Sequence, residues 1–315
     1  MTNRALPNRP SRSKYGSAQF KRHIGLYLMA APGLIFFFVL CYIPILFLVV
    51  AFQNYKAGLG IWGSDFVGLK NFIALFTDRM FPLVLNNTLT LNLMKIVLNF
   101  PMPIILALAF NELAPSPFKK ICQTTVYLPH FFSWVIVASM MISMMNVNTG
   151  LINTIIVGFG GTPFAFLNSK PLYKILLVIV EIWKETGWNT IIYIAALGSI
   201  NAELYEAASI DGANKWRRTW HVSLPGISGT IVILLILSFG GVISGSFEQV
   251  FMTGSKNKAV YEVAEIIPTY VYTKGISEMK TSYGAAVGLF QSFIGFLLVV
   301  GTNFLSKRMG GEGIW

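Results

Sequence analysis

Charge is what this sequence has least of. Charged residues make up 12% of the chain, about half the roughly 25% typical of a soluble domain. So few ions cannot cover a water-facing surface of 315 residues, which sets the soluble globular class aside. Cysteine and histidine are scarce too, at 2 and 3 residues. Two cysteines build no disulfide framework. Cys41 is expected in the outer part of a first membrane span and Cys122 near the inner end of a third, so they cannot meet and both are expected as free thiols. His23, His130 and His221 stand apart, and no Cys/His/Asp/Glu group has metal-ligand spacing. Hydrogen-bonded or interfacial histidines are therefore expected, and no metal site. Catalytic signatures are missing as well. The nearest approach to a phosphate loop, Gly63-Ser-Asp-Phe-Val-Gly68, continues with Leu69-Lys70 in place of Lys-Ser/Thr, and neither His-Glu-x-x-His nor a nucleophile elbow occurs. No catalytic residue and no cofactor bound by this chain are expected.

Long apolar runs are what the chain has in their place, with hydrophobic residues at 54%. Six runs are long enough to span a bilayer as helices: about 24–52, 83–112, 121–145, 172–198, 227–251 and 284–305. The expected fold is an all-α membrane protein of six transmembrane helices with both termini cytoplasmic. Residues 1–22 read as a disordered basic cytoplasmic tail and 23–315 as the transmembrane domain. Pro32 and Pro44 are expected to kink the first span. The net charge of +11 is not gathered on one face with interleaved aromatics, so nucleic acid is not an expected partner. The basic residues report topology instead. The tail, Lys119, Lys120, Lys215, Arg217, Arg218, Lys307 and Arg308 form the larger, inner set, with most of its margin in the tail. Between the fifth and sixth spans, Tyr261-Glu-Val-Ala-Glu-Ile-Ile267 is expected to form an amphipathic interfacial helix.

One charged, helix-forming stretch interrupts the apolar pattern between the fourth and fifth spans, at 201–225. Asn201 can cap a short helix holding Glu206, Ala207 and Ala208, because its side-chain oxygen can accept from a free first-turn amide. Gly212 permits a tight bend, Asp211 is expected to cap a second turn, and Pro225 to end the element. Small Ala207, Ala208 and Ala213 leave the backbone open to a close grip by another protein. The order Glu206-Ala207-Ala208, Gly212, Val222, Leu224-Pro225 resembles the EAA loop in permease subunits of type I ABC importers, with Val222 where that family more often has Ile. Asp211-Gly212-Ala213, the Val67-Gly-Leu-Lys-Asn-Phe72 stretch after the first span and the terminal Gly313-Ile-Trp315 resemble the carbohydrate branch of the family. The resemblance runs from about residue 24 to the end. It implies that 201–225 is a cytoplasmic coupling helix seated in an ATPase. It also implies a second homologous permease, two cytoplasmic ABC ATPases that use ATP and Mg, an extracytoplasmic solute-binding protein and a carbohydrate substrate, in a bacterial cytoplasmic membrane.

Ionisable groups at bilayer depth cost about 2.5 to 3.5 kcal/mol each on insertion scales, so they face partners or water. In the second span Thr88, Asn92, Lys95 and Asn99 share one helical face. In the fourth, Glu181, Lys184, Glu185, Trp188 and Asn189 share another, with Trp183 and Tyr193 offering aromatic faces on which a sugar could stack. Two readings stand open: these stripes line a substrate pathway, or they pair, as Glu181 could with Lys184, and only hold the bundle together. Ser244, Ser246, Glu248 and Gln249 in the fifth span are weaker pathway candidates. Lys95 and Lys184 would suit an acidic oligosaccharide, although Glu181 and Glu185 weigh against a purely cationic site. An ion-coupled secondary transporter with a Glu/Lys relay is the competing class, and it leaves the loop at 201–225 unexplained.

Overall fold

A computed structural model describes residues 23–255, 257–308 and 313–314. The basic tail expected at 1–22, and Trp315, lie outside the described residues.

Helix dominates because the apolar runs leave the backbone no other way to satisfy its N–H and C=O groups away from water. Among the described residues, three helices are long and apolar enough to cross a membrane: Ile24–Phe52, Phe81–Asn111 and Thr281–Arg308. Two bent pairs qualify when each is taken as one span, Pro117–Phe131 with Trp134–Met144 and Lys215–Gly226 with Ser228–Gly240. Lys170–Gly198 is 29 residues long, but it contains Lys174, Glu181, Lys184 and Glu185. In chain order these are the first to sixth long helices.

Two expected spans are broken. The third bends by 96° at Phe132 and Ser133, where the extended backbone of Ser133 lets its hydroxyl cap the second half by accepting from Ile136 N–H at 3.4 Å. The fifth stops at Gly240 and resumes as Phe247–Thr253, separated by turns that end on Ser246 at φ 75°. A continuous helix over 227–251 was the expectation; apolar content alone does not reveal such a break. In the first long helix a wide turn at Phe38–Tyr42 precedes Pro44, and Ile43 N–H reaches back to the Phe38 carbonyl. The proline's missing N–H lies one residue beyond. Cys41 and Cys122 are both free thiols.

The first long helix is exposed until Val50 and Ala51, and its last turn meets the sixth long helix and Lys70–Thr77. The motif at 67–72 explains this corner. Gly68 takes φ +60°, and Asn71 then donates to the Ala51 and Gln53 carbonyls at 2.9 and 3.0 Å. A small antiparallel pairing of Gln53–Asn54 with Asp65–Phe66 closes the loop.

Elsewhere the second and fourth long helices pack side by side. At one end Leu91, Tyr173, Leu177 and Ile266 share a core; at the other, Ala107, Tyr193, Leu197 and Ile227 do. The connection between the fifth and sixth long helices is not an interfacial helix. Tyr261–Ala264 is a single turn, and Glu265, Ile266 and Ile267 behind it are fully buried. Polar groups hold it there. Asn87 donates to the Glu262 and Glu265 carbonyls at 2.7 and 3.1 Å, and Thr88 accepts from Ile267 N–H at 2.8 Å. In the sequence the alternation resembles amphipathicity, but over 264–267 every residue is buried in protein.

Candidate functional site

Between the second, fourth and fifth long helices lies a cavity of about 650 Å³. Lys95 is its polar centre. The ammonium pairs with Glu181 and donates to Ser246 Oγ at 2.5 Å and Gln249 Oε1 at 2.7 Å. Gln249 in turn donates to the Leu177 carbonyl at 2.7 Å. Asn92 donates to the Thr88 and Val242 carbonyls, and its Oδ1 accepts from Ser246 Oγ at 2.9 Å. Ser246 has a left-handed backbone, which costs a non-glycine residue about 1 to 3 kcal/mol. Its bonds to Asn92 and Lys95 hold it there, so the break in the fifth long helix delivers a hydroxyl and Gln249 to the lysine. Lys95, which has no acid one turn away on its own helix, finds one on the fourth.

The cavity wall takes Asn92, Lys95 and Asn99 from the second long helix, and Glu181, Glu185, Asn189 and Tyr193 from the fourth. From the fifth come Ser246, Glu248 and Gln249. Trp183, Lys184 and Trp188 are not on it. At 100° per residue Trp183 lies roughly 200° around the helix from Glu181 and faces outward, 47% exposed. Lys184 is buried and ion-paired with Glu185 at 2.7 Å, not with Glu181. Trp188 stacks on His130 with ring centroids 4.4 Å apart and planes 3° from parallel. His130, which looked isolated in the sequence, meets Glu185 Oε2 through Nδ1 at 2.7 Å. Trp134, just past the break in the third long helix, also lines the wall and drew no attention in the sequence. No sequence signal marks either, because their partners lie in another helix.

Two acids in the connections outside the long helices differ in environment. Burial would raise the Asp78 carboxyl, but hydrogen bonds from Tyr270, the Met80 N–H and Tyr283, with the charge of Lys274, bring it below its ordinary value. Neither carboxylate oxygen of Glu265 has a well-aligned hydrogen bond among the described residues. Burial pushes it up to about 7, with Thr269, Tyr261 and the charge of Lys274 only partly opposing the rise.

The loop at 201–225 is built locally. Asn201 Oδ1 accepts from Glu203 N–H at 3.0 Å and caps Ala202–Ile210. Gly212 at φ +74° ends that helix, with Ala213 N–H returning to the Ala208 carbonyl at 2.9 Å. Asp211 does not cap the next turn. Asn214 does, accepting from Arg217 N–H at 2.9 Å, because Asp211 is still occupied in closing the first helix. The chain stays helical through Leu224 and Pro225 to Gly226 and bends by 60° only beyond it. Proline is tolerated there because it occupies the first turn of the short final segment. Glu206, Ala207, Asp211 and Gly212 are exposed, Ala208, Ala213 and Leu224 half-buried. Ile210 and Trp216 are 87% and 69% exposed. Tyr205 OH meets Ser223 Oγ at 2.9 Å, and Arg218 reaches Ser209 Oγ at 3.2 Å and the Glu112 carboxylate at 3.6 Å. The result is a braced projection with apolar tips among charges.

Residues 99–311 match the family described as binding-protein-dependent transport system inner membrane component. Over 290 residues the chain is 47% identical to the polygalacturonan/rhamnogalacturonan transport system permease protein YteP of Bacillus subtilis (strain 168), covering 92% of this chain and 90% of that one. It is 42% identical to Protein LplB of the same organism over 299 residues, 95% and 93% of the two chains. A chain in the crystal structure of a bacterial alginate ABC transporter, in complex with an alginate pentasaccharide-bound periplasmic protein, matches with a TM-score of 0.85 at 34% identity, over 94% of this chain and 99% of that chain. This chain therefore belongs to the binding-protein-dependent transport system inner membrane components, the permease subunits of ABC transporters.

Proposed function

We propose that the chain forms half of the translocation pathway of a type I ABC importer for an acidic oligosaccharide. It is a sugar-transport permease and performs no bond chemistry itself. The observation that carries the finer reading is mechanical. The fourth and fifth long helices both wall the cavity, and the exposed loop at 201–225 leads out of the fourth and forms the first turns of the fifth. A push on the loop reaches both walls at once. In this reading the six long helices all span the bacterial cytoplasmic membrane, with both termini and the loop inside. Glu206, Ala207, Ala208, Asp211, Gly212, Ala213, Leu224 and Pro225 form the coupling surface. Two ATPase subunits holding ATP and Mg drive the loop, a second permease completes the pathway, and a solute-binding protein unloads sugar from outside.

Asn92, Asn99, Asn189 and Gln249 supply amides for hydroxyl groups, and Tyr193 and Trp134 supply ring faces. Lys95 is the cation for a sugar carboxylate. Ser246 and Gln249 satisfy two of its three donors, so Glu181 can release it without leaving it bare. The names of relatives that handle polygalacturonan and alginate support an acidic substrate. The ion-coupled alternative does not fit a family of binding-protein-dependent components. Uptake of oligogalacturonate into vesicles holding the assembled complex tests the proposal. Uptake should require ATP and the binding protein and should exceed uptake of the carboxyl-reduced sugar. Equal uptake of both removes the acidic substrate, and uptake driven by a proton gradient without ATP removes the importer reading.

A further inference from the structure

We propose that His130 is a positioning residue for the cavity carboxylate Glu185, and that through this pair the break in the third long helix answers to what occupies the cavity. The inference rests on the cavity being the substrate pathway.

Both oxygens of Glu185 are committed. Oε2 meets His130 Nδ1 at 2.7 Å, and Oε1 accepts from Lys184 Nζ at 2.7 Å. Lys184 also donates to the His130 carbonyl at 2.9 Å and lies 5.3 Å over the Trp134 ring. His130 is in the last turn before the 96° break and Trp134 is the first helical residue after it. The two halves of the broken helix are thus tied to one carboxylate and its lysine. Trp188 holds the imidazole flat from the fourth long helix. The fourth long helix touches the first half backbone to backbone: a Cβ on Gly187 would lie 2.0 Å from the Val126 carbonyl oxygen, so only glycine lets that half seat at this depth.

Of this cluster only Glu185 and Trp134 reach the cavity wall. A sugar hydroxyl that donates to Glu185 competes with His130 and Lys184 for the same oxygens. Taking Oε2 releases the imidazole of His130 at the end of the first half, and taking Oε1 loosens Lys184, which bridges the His130 carbonyl and the Trp134 ring. Opening or closing the break, conversely, withdraws His130 and turns the carboxylate. Binding in the cavity and the angle of the third long helix are then two ends of one equilibrium, each biasing the other.

The test uses the assembled complex in lipid with Cys41→Ser and spin labels on native Cys122 and on Met140→Cys, one in each half of the broken helix. Oligogalacturonate-loaded binding protein should shift the label distance in this background. His130→Ala should abolish the shift and lower maximal uptake about ten-fold, the upper range for residues that do not touch the ligand. The half-saturating sugar concentration should hold within two-fold. His130→Asn, whose amide can replace the Nδ1 donor, should recover much of both. Should His130→Ala not assemble, His130→Phe, which keeps a ring against Trp188 but has no nitrogen for Glu185, provides the same comparison. A wild-type distance that ignores the sugar overturns the inference, as does an unchanged shift in the variants that lack the Nδ1 donor. A parallel variant, Asn189→Trp, fills the cavity. If it transports normally, the pathway reading falls and this inference with it; if it blocks uptake while His130→Ala behaves as wild type, this inference falls alone.

Discussion

The cavity wall and the loop at 201–225 are both polar, but the hydrogen bonds that shape them span different distances along the chain. Lys95 bonds Ser246 and Gln249, 151 and 154 residues away. In the loop, Asn201 caps Glu203 two residues on and Arg218 reaches Ser209 across nine, and the longer contacts of Lys215 and Arg218 with Glu112 are at 3.5 and 3.6 Å. The loop can therefore form as a unit before the bundle closes, and its outer face stays free for a partner. The wall exists only once three helices have met. Damage to the loop should then spoil function while sparing the fold, whereas damage to the wall should cost stability first.

The sharpest way to break this comparison is Gly212→Pro. Proline fixes φ near −65° and has no N–H, whereas Gly212 sits at +74° with open space around it and donates to the Ser209 carbonyl at 3.1 Å, so the change acts on the bend and on the hydrogen bond that closes it. ATP-driven uptake should fall about a hundred-fold or more, as geometry errors remote from a reacting centre can cost on that order. Thermal stability of the purified complex should move little. Lost stability with retained uptake would reverse the contrast.

Next is the wall. Lys95→Met leaves Glu181 uncompensated and Ser246 and Gln249 without their donor, at a cost of about 3 to 5 kcal/mol. Adding Glu181→Gln should recover a large part of that, because the penalty is the stranded charge rather than the missing attraction. Chemical denaturation of the two variants measures it. Strict additivity would mean that the pair does not couple the helices.

Glu265 sets a third contrast, since the groups around it, Thr269, Tyr261 and Lys274, offset its burial only in part, whereas Lys95 has an ion pair and two short hydrogen bonds. Its folded carboxyl titrates at about 7 against an ordinary 4.5, so the folded state holds the proton more tightly. The contribution is complete below about 4.5 and is lost as pH rises through about 7. Glu265→Gln should flatten the stability profile between those values and stabilise the complex at pH 8 by on the order of 2 kcal/mol. A wild-type profile that does not fall across that window would show the carboxylate is partnered after all.

What the sequence made legible follows the same division. Gly212, the Asn201 cap and the Glu206-Ala207-Ala208 pattern were readable because local spacing dictates them. The helical stripes identified Asn92, Lys95, Glu181 and Asn189, since side chains four apart share a face. Their partners were not readable. Nothing local says that Lys95 meets Glu181, that Glu185 meets His130, or that Ser246 interrupts an apolar run. Trp183 shows the limit of reading residue type alone: its ring suits a sugar face, but its azimuth turns it away from the cavity.

The smallest expected effect tests whether the loop is as self-contained as its bonds suggest. Asn201 and Asn214 each supply one side-chain oxygen to a free amide at a helix start, so each replacement by alanine should cost about 1 kcal/mol. The caps share no partner, and each closes its own turn. Asn201→Ala and Asn214→Ala should therefore add to within about 0.5 kcal/mol in the double variant. Asn92→Ala and Ser246→Ala, which share a hydrogen bond in the wall, should fall short of their sum by more than that. Hydrogen exchange at Glu203 and Arg217 reads the caps one at a time. If removing one cap also loosens the amide of the other, the loop is a cooperative lever rather than two helices joined at a glycine.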